Sequence, residues 1–356
     1  MWDLSETKSA AELIAFDPKT ASKEEWAGIH AYRLARHTET DRLEQLFPEE
    51  DYEAMAKKDS QFGEAKRFFV VEGDDVVGGF GTFIENPTSP GYESNKHILG
   101  VDFAVLGPHR RKGIGTNFLR KTLSLMEEHD KSVLTLGTEE DDGHAFLESI
   151  GAQAKLAGAE NRLNLEEVDW DMVGRWVAEG REKNPDTELI FYERRIPEEL
   201  LGEIAPVLSE LLNTMPWDDL DHGEIVFTEE SFKEHYDRMD ELKLEHHTYL
   251  TKEPDGTISG MTDVNWAPQL PHQISQQFTG VHPDHRGRGL GKWLKAAMLE
   301  YIRSRYPEAR YISTGNANSN DPMLGINKKL GFKTHRGGST YQISRDDLAK
   351  YLASRS

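Results

Sequence analysis

An internal repeat constrains the fold of this chain more than any other feature of its sequence. The tripeptide Glu12-Leu13-Ile14 recurs as Glu188-Leu189-Ile190, 176 positions later. A basic, glycine-bearing loop that begins at Arg110 recurs at Arg286, again 176 positions later. Two unrelated matches at one spacing are typical of gene duplication. Because 356 residues also exceed what one hydrophobic core usually organises, we expect two similar domains.

Both copies present the same order of predicted elements. Each begins with a short strand and a helix, which the apolar pattern places near 23–36 and 198–212. A hairpin follows, with turn residues at Gly73-Asp74-Asp75 or Pro254-Asp255-Gly256. Then come an apolar strand, the basic loop, an amphipathic helix, another strand, a helix that ends in glycine, and closing strands. This order predicts an α/β fold in which each copy has a mixed central sheet flanked by helices.

The repeat divides the chain into three predicted segments. Residues 1–165 form an amino-terminal domain, 166–185 a connection and 186–356 a carboxy-terminal domain. The connection is acidic, but four of its apolar side chains fall on one helical face: Trp170, Val173, Trp176 and Val177. We therefore expect a packed helix between the domains rather than a disordered linker.

Charge and composition narrow the function. The formal net charge is −21, which repels nucleic acid phosphates, and the sequence has no basic stripe interleaved with aromatic residues. High negative charge favours solubility, and it also steers cationic, amine-bearing substrates towards a protein. The absence of cysteine excludes disulfides, thiolate zinc sites and a cysteine nucleophile.

No membrane or metal function is predicted. No apolar run approaches the ~20 residues that cross a bilayer, and the first residues lack the pattern of a signal peptide, so we expect a cytoplasmic protein. The adjacent His246 and His247 would point to opposite faces of a strand, and no HExxH pair occurs, so we expect no metal.

The two basic loops carry the strongest chemical signal. Glycines let the backbone approach a ligand, and the amides at a helix start bind phosphate. Basic side chains add charge and forked hydrogen bonds. The dinucleotide fingerprint needs a third glycine where Phe118 and Leu294 stand, and a Walker loop needs Ser or Thr where Trp293 stands. What remains is Arg-x-x-Gly-x-Gly, which suits a pyrophosphate.

These loops resemble the signature of the Gcn5-related N-acetyltransferase (GNAT) superfamily, one copy in each half. The stretches FTGVHPDHRGRGLG and STGNANSNDPMLGINKKLGF are similar to the carboxy-terminal half of bacterial tandem acetyltransferases, the group that includes mycothiol synthase. The resemblance implies a central sheet whose strands splay apart. It also implies acetyl-CoA as cosubstrate, without a metal.

The resemblance assigns coenzyme contacts by position. In this superfamily the strand before the loop pairs with the pantetheine arm, and the loop amides hold the pyrophosphate. In the first copy these positions are Val105, Arg110, Arg111, Lys112, Gly113, Ile114, Gly115 and Thr116. In the second copy they are Thr279, Gly280, Val281, Arg286, Gly287, Arg288, Gly289, Leu290, Gly291 and Lys292, joined by Asn316 and Asn320.

The implied reaction is direct transfer of an acetyl group to a primary amine of a small molecule. Many relatives use a tyrosine to assist the departing thiolate, at the position that Asn327 occupies in the second copy and Leu147 in the first. Glu140 takes the place of Asn320 in the first copy, where a carboxylate would not suit an anionic coenzyme. We therefore expect the second copy to be catalytic and the first to be degenerate.

Further site candidates rest on weaker patterns. Asp263 and Tyr341 are candidate catalytic residues of the second copy, beside the thiolate contact expected of Asn327. Asp102, on a predicted strand of the first copy, is a candidate general base, but a polar residue at the edge of a strand is an equally good interpretation. Three residues between the early helices of the second copy would suit an ammonium group, although a solvated acidic loop explains them equally well: Trp217, Asp218 and Asp219.

Alternatives to this function remain open. The chain could be a non-catalytic acyl-CoA-binding sensor or interaction protein, because both copies lack the tyrosine. O-acyl transfer or a longer acyl donor also fits the loops. The expected partners are a small, cationic amine and neither nucleic acid nor membrane, with a monomer or a homodimer as the assembly.

Overall fold

The computed structural model describes residues 13–40 and 44–355. Glu12, the first residue of the repeated tripeptide, lies outside the described residues. Internal contacts divide the chain into two compact units. Unit 1 comprises Met1–Lys155 and Thr340–Ser356, and unit 2 comprises Leu156–Ser339.

Unit 1 has a mixed sheet flanked by helices. Its strand order is β1-β2-β3-β4-β5-β12, and the last place is taken by the final part of β12. Its elements are β1 (Leu13–Ala15), α1 (Lys23–Glu39), α2 (Glu49–Ala56), β2 (Gly63–Glu72), β3 (Asp75–Glu85), α3 (Tyr92–Asn95), β4 (Ile98–Val105), α4 (Ile114–Glu128), β5 (Val133–Thr138), α5 (Asp141–Ser149) and, from the end of the chain, the final residues of β12 (Lys333–Ser344) and α11 (Arg345–Ala353).

Unit 2 repeats this plan. Its strands run in the order β6-β11-β10-β9-β8-β7. Its elements are most of β6 (Gln153–Asn164), α6 (Trp170–Lys183), β7 (Glu188–Tyr192), α7 (Leu201–Leu212), α8 (Glu229–Glu241), β8 (Glu245–Lys252), β9 (Ile258–Trp266), β10 (Gln273–Val281), α9 (Leu290–Arg305), β11 (Tyr311–Ala317), α10 (Asp321–Leu330) and the first residues of β12. The two tandem α/β folds predicted from the repeat are thus present.

The closing strand of each copy joins the sheet of the other unit. Most of β6, from the first copy, lies in unit 2, and the final part of β12, from the second copy, lies in unit 1. Strand β6 pairs antiparallel with β11 in unit 2, and α6 packs on α9. The end of β12 lies beside β5 in unit 1, where Gln342 donates to Thr135, and α11 packs on α4. The domain boundaries therefore differ from those predicted: 156–165 belong to unit 2 and 340–356 to unit 1. The connection contains the expected helix, α6.

Both sheets splay open at the strand before the basic loop. In unit 1, β4 and β5 pair in parallel only from Ile98–Val133 to Gly100–Thr135. In unit 2, β10 and β11 pair only from Gln273–Tyr311 to Ser275–Ser313. Each strand then continues to Val105 or Val281 while its parallel neighbour diverges. The backbone groups along one edge of β4 and β10 are consequently left without a strand partner.

Each unit has its own hydrophobic core. The helix that follows the basic loop buries the same face in both, with Phe118, Leu119 and Met126 in unit 1 and Leu294, Met298 and Ile302 in unit 2. Burial of this face holds the loop against its sheet. Within 13–40 and 44–355, no helix is long and apolar enough to cross a membrane.

Candidate functional site

The basic loop adopts the same backbone in both units. Gly113 caps α4 with φ +87°, and Gly289 caps α9 with φ +85°. A Cβ added at either glycine would meet nothing within 4 Å, so the space above the helix start is open. The first amides of a helix lack intrahelical acceptors and face the positive end of its dipole. Both loops therefore have the geometry of an anion site.

The first arginine of each loop is anchored in the same way. Arg110 Nε donates to the Val105 carbonyl at 3.0 Å, and Arg286 Nε donates to the Val281 carbonyl at 3.1 Å. The second position differs, because Arg111 holds φ +62° where Gly287 holds φ +81°. A left-handed conformation is strained for arginine and relaxed for glycine. The first loop thus keeps its shape despite a less suitable residue.

The basic residue at the third position of each loop, Lys112 or Arg288, pairs with groups of the protein itself. Lys112 lies 3.6 Å from the Glu72 carboxylate. Arg288 donates to Asn184, Thr187 and Glu253, which hold its guanidinium at the end of α6 and the hairpin. These contacts occupy the guanidinium of Arg288, whereas Arg286 is exposed and its guanidinium has the Val281 carbonyl as its sole hydrogen-bond partner in the described part of the chain.

Unit 1 contains a pocket of about 630 Å³ at its basic loop. The loop, the splayed end of β4, the start of α5 and the end of the chain line it. The sequence-predicted contacts Val105, Arg110, Arg111, Gly113, Ile114, Gly115 and Thr116 all lie there, with Arg36, Phe103, Phe146, Tyr351 and Arg355 among the others. Lys112 is absent from this lining.

Carboxylates pair with two of the arginines that line this pocket, Arg36 and Arg110. Arg110 donates to Asp142 at 2.8 Å and to Glu140 at 3.2 Å. Glu140 also accepts a short hydrogen bond from Arg36. Burial alone would raise the pKa of the Glu140 carboxyl, but Arg36 and Arg110 outweigh it and hold that pKa below its usual value. Two of the guanidinium groups that line this pocket, those of Arg36 and Arg110, are therefore already paired with carboxylates.

The same repeated unit is found in a known family. The family model described as "Acetyltransferase (GNAT) family" matches residues 31–151 and 211–332, more than half of the chain. This chain belongs to the GNAT family. Acyl transfer is the reaction class of that family, and no curated protein sequence matches the chain.

Solved structures share the tandem GNAT fold at low identity. A tandem GNAT protein from the clavulanic acid biosynthesis pathway is 20% identical, with a TM-score of 0.71 over 94% of this chain and 98% of that one. A GCN5-related N-acetyltransferase from Sphaerobacter thermophilus is 15% identical, with a TM-score of 0.63 over 94% and 96%. A fungal glucosamine N-acetyltransferase region is 14% identical, with a TM-score of 0.66 over 96% of this chain and 39% of that one.

In unit 2, uncharged side chains stand where unit 1 has carboxylates. Asn320 caps α10 and accepts from the Met323 amide, whereas Glu140 occupies the cap position of α5. Asn316 lies at the end of β11 and accepts from Asn327 at 2.9 Å. The cap position that carries the Glu140 carboxylate in unit 1 thus carries an amide in unit 2, although Asp321 follows it in the first turn of α10 as Asp141 does in α5.

Asn327 lies in a buried polar cluster. Only 1% of its surface is exposed, and its Oδ1 atom has no partner among the described residues. Asn161 also donates to Asn316, at 3.4 Å. Asn327 lies on α10, and its amide is covered in this structure. The contact predicted between this amide and the coenzyme sulfur would therefore require α10 to move away from the residues that cover it. Leu147, at the matching place in unit 1, is packed in the core.

The strand β10 is bulged beside its splay. Its register with β9 shifts between Gln276 and Phe278, whereas β4 pairs with β3 without a shift from Gly78–Val105 to Thr82–Val101. Asp263 on β9 accepts from the Phe278 amide at 2.8 Å and from His246, also at 2.8 Å. Asp263 therefore lies at the bulge. Beyond the bulge, Thr279, Gly280 and Val281 continue the open edge of β10.

Tyr341 lies elsewhere than predicted. Because the end of β12 joins the sheet of unit 1, Tyr341 belongs to unit 1 and not to the site of the second copy. Its hydroxyl contacts His144 Nδ1 at 2.9 Å and donates to Glu148 at 3.4 Å, and its side chain is packed in the core of unit 1. Through these contacts Tyr341 holds the end of β12 against α5, which is a structural role.

The remaining predicted residues lie on loops or at a surface. Trp217 stacks on His222 at 4.0 Å between ring centres, in the loop between α7 and α8. Asp218 and Asp219 in the same loop are exposed, as is Asp102 on β4. Lys292 lies over the Trp176 ring, while Leu290 and Gly291 are buried against the sheet.

The fold brings to the site several polar residues that no sequence motif predicted. Arg36 reaches the first loop from α1, across 104 positions of sequence to Glu140. Gln276 and Lys295 lie beneath the bulge of β10. A signal for Lys295 exists, since it shares a helical face with the buried Met298 and Ile302. No local signal marks Arg36.

Proposed function

We propose that the chain is an acetyl-CoA-dependent N-acetyltransferase that acetylates a primary amine of a small molecule, and that unit 2 carries the site. The observation that supports this assignment most is the loop of unit 2. An open helix start lies beside an open strand edge there, and the exposed guanidinium of Arg286 is not paired with a carboxylate of any described residue. An anionic coenzyme is favoured at such a place and disfavoured beside Glu140 and Asp142.

The residues of unit 2 fit a coenzyme with a pyrophosphate and an amide-bearing arm. The amides from Gly289 to Gly291 and the guanidinium of Arg286 would hold the pyrophosphate. The open edge from Thr279 to Val281 offers backbone groups to the amides of the pantetheine arm. The coenzyme supplies the activated acyl group. The role of the chain is to align that group and to exclude competing orientations.

Proton transfer needs a group at the bulge. The attacking amine must be neutral, and it loses a proton as its nitrogen forms the bond to the acyl carbon. Asp263 and His246 are hydrogen-bonded to each other beside the bulge, and we assign them to the path that accepts this proton. An amide cannot act as an acid, so Asn327 cannot protonate the departing thiolate. We assign that proton to solvent.

The acceptor is proposed to be cationic before it loses its proton. The net charge of −21 attracts cations at long range, and the exposed Asp218 and Asp219 in the loop between α7 and α8 would attract an ammonium group locally. The stacked Trp217 and His222 give that loop a fixed apolar face. Small amines, such as aminoglycosides, amino acid derivatives and thiol precursors, have these features.

An assay of thiol release tests the proposal. The purified chain is incubated with acetyl-CoA and a panel of small cationic amines, and free coenzyme thiol is measured against reactions without amine. Mass spectrometry of the amine then identifies an added acetyl group. We expect thiol release that depends on the amine, and a product acetylated on nitrogen. An O-acetylated product, or preference for a longer acyl donor, would change the substrate class.

The alternative is a sensor that binds an acyl-CoA without turnover. The buried Asn327 at the tyrosine position favours this reading, because unit 2 lacks that acid. Calorimetry separates the two functions. Binding of acetyl-CoA with no release of thiol across the whole amine panel would support the sensor, whereas amine-dependent release excludes it.

A further inference from the structure

Unit 2 contains a buried amine next to its candidate acyl site. Lys295 lies on α9, the helix that begins at the anion loop, and only 3% of its surface is exposed. Its Nζ donates to Gln276 Oε1 at 3.3 Å and lies 5.3 Å from the centre of the Phe332 ring. Burial lowers the pKa of the Lys295 ammonium to about 7. Burial of an amine without a charged partner costs free energy, so a lysine retained at such a place is a candidate for a functional role.

The partner of this amine lies inside the bulge of β10. Gln276 Nε2 is within hydrogen-bonding distance of the carbonyls of Asp263 and Phe278, at 2.8 and 3.0 Å, and of the Thr262 hydroxyl at 3.1 Å. All three groups lie on one side of the register shift, where Phe278 pairs with Asp263 and Thr279 with Thr262, whereas Gln276 lies on the other side and pairs with Val264. Gln276 is also the first residue of β10 beyond its parallel pairs with β11. The side chain therefore links the bulge to the point where the sheet opens.

Unit 1 provides an internal comparison. Lys295 is the sixth residue of α9, and the sixth residue of α4 is Leu119. The first residue of β4 beyond its parallel pairs is Val101. Both are buried and apolar, and the pairing of β4 with β3 there has no shift. The buried amine, its glutamine and the bulge thus occur together in one copy and are replaced together in the other.

The geometry points to Lys295 and Gln276 as a positioning pair for acyl transfer: Lys295 holds the Gln276 side chain, and Gln276 holds the bulge that sets the backbone groups of β10 facing the acyl thioester. Bulges redirect backbone groups near active sites. Gln276 needs a donor for its Oε1 atom if its Nε2 atom is to keep facing the strand, and Lys295 is that donor. The kinetic part of this inference rests on the proposed function.

Substitution by methionine tests the pair. Lys295→Met and Gln276→Met keep the side-chain volume and remove the hydrogen bonds. Leu119→Met is the matched control, since it places methionine at the corresponding buried position of α4 at small cost in stability. Deuterium exchange is measured over 273–281, together with thermal unfolding, the KM for acetyl-CoA and kcat.

We expect exchange over 273–281 to accelerate in both test variants and to stay unchanged in the control. We expect kcat to fall at least about tenfold with little change in KM, and the double variant to be no worse than either single one. The melting temperature of Lys295→Met should be equal to or above that of the wild type. A merely structural lysine would instead lower the melting temperature and leave kcat of the folded protein unchanged.

The two inferences fail separately. If the wild type shows no turnover with any amine, the proposed function fails, and exchange over 273–281 still decides whether the pair holds the bulge. If the wild type turns over, normal kcat and exchange in Lys295→Met overturn the positioning role. Additive losses in the double variant would also overturn it, because they would mean that the two side chains act independently.

Discussion

The two basic loops share a backbone and differ in what surrounds it. Both place a left-handed glycine at a helix start, and both anchor their first arginine on the carbonyl of the preceding valine. In unit 1, however, Arg110 and Arg36 are bound by Glu140, whereas unit 2 has asparagines in this region. The loop motif alone therefore does not make an anion site, because nearby carboxylates can cancel the positive charge of its arginine side chains.

The largest expected effect comes from closing the second loop. Gly289→Val places a β-branched side chain at φ +85°, in the space above the helix start. We expect acetyl transfer to fall at least about tenfold, or ~1.4 kcal/mol in the barrier, because the backbone could no longer approach the pyrophosphate. Thiol release and calorimetry with acetyl-CoA measure the change, and circular dichroism checks folding.

The first loop supplies the matched control. Gly113→Val makes the same substitution at a cap glycine with φ +87° and equally open space. We expect transfer to change less than about threefold in a folded protein. If transfer instead survived Gly289→Val and was lost with Gly113→Val, the roles of the two units would be reversed.

A smaller effect should follow from removing the carboxylate that distinguishes unit 1. Glu140→Asn introduces a good helix cap and frees Arg36 and Arg110 from their shared anion. In a chain that also carries Gly289→Val, we expect calorimetry to show acetyl-CoA binding about fivefold tighter than without Glu140→Asn.

The control for this gain is Asp141→Asn, which removes the same charge one position along the chain. Unlike Glu140, Asp141 shows no contact with either arginine in the described part of unit 1. Equal gains in both variants would show that net charge, and not the Glu140 contacts, excludes the coenzyme from this pocket.

The smallest effect is a pH-dependent difference in stability. Burial opposes ionisation of Glu140, but its arginine partners hold its pKa below the ordinary value in the folded chain. A depressed pKa contributes stability above the unfolded pKa, and this is lost as pH falls through the folded pKa. Relative to Glu140→Gln, the wild type should be more stable by ~1 kcal/mol or less at pH 7, after allowance for solvent screening.

Thermal unfolding of both proteins between pH 7 and 3 measures this difference. The advantage of the wild type should shrink as the pH falls. A constant difference down to pH 3 would show that Glu140 acts through packing and not through its charge.

Local sequence was sufficient to predict the repeated fold and the position of its anion loops. The spacing of 176, the apolar periodicity of the helices and the Arg-x-x-Gly-x-Gly loops are encoded in short segments, and helix starts bind anions through nearby backbone amides. For this reason the helices predicted near 23–36 and 198–212, and the loops with the helices that follow them, lie close to their predicted places, whereas the sequence patterns gave no place for α2, α3 or α8.

Only the tertiary structure decided which residues meet at each loop. The end of β12 moves Tyr341 into unit 1, Arg36 reaches Glu140 across 104 positions, and Lys295 meets Gln276 beneath a bulge. Strand order, register shifts and contacts between distant residues depend on how whole faces pack, and local periodicity carries no record of them. The sequence by itself therefore determined the type of loop, and packing determined that Glu140 pairs with arginines in unit 1 while Arg286 in unit 2 stays exposed.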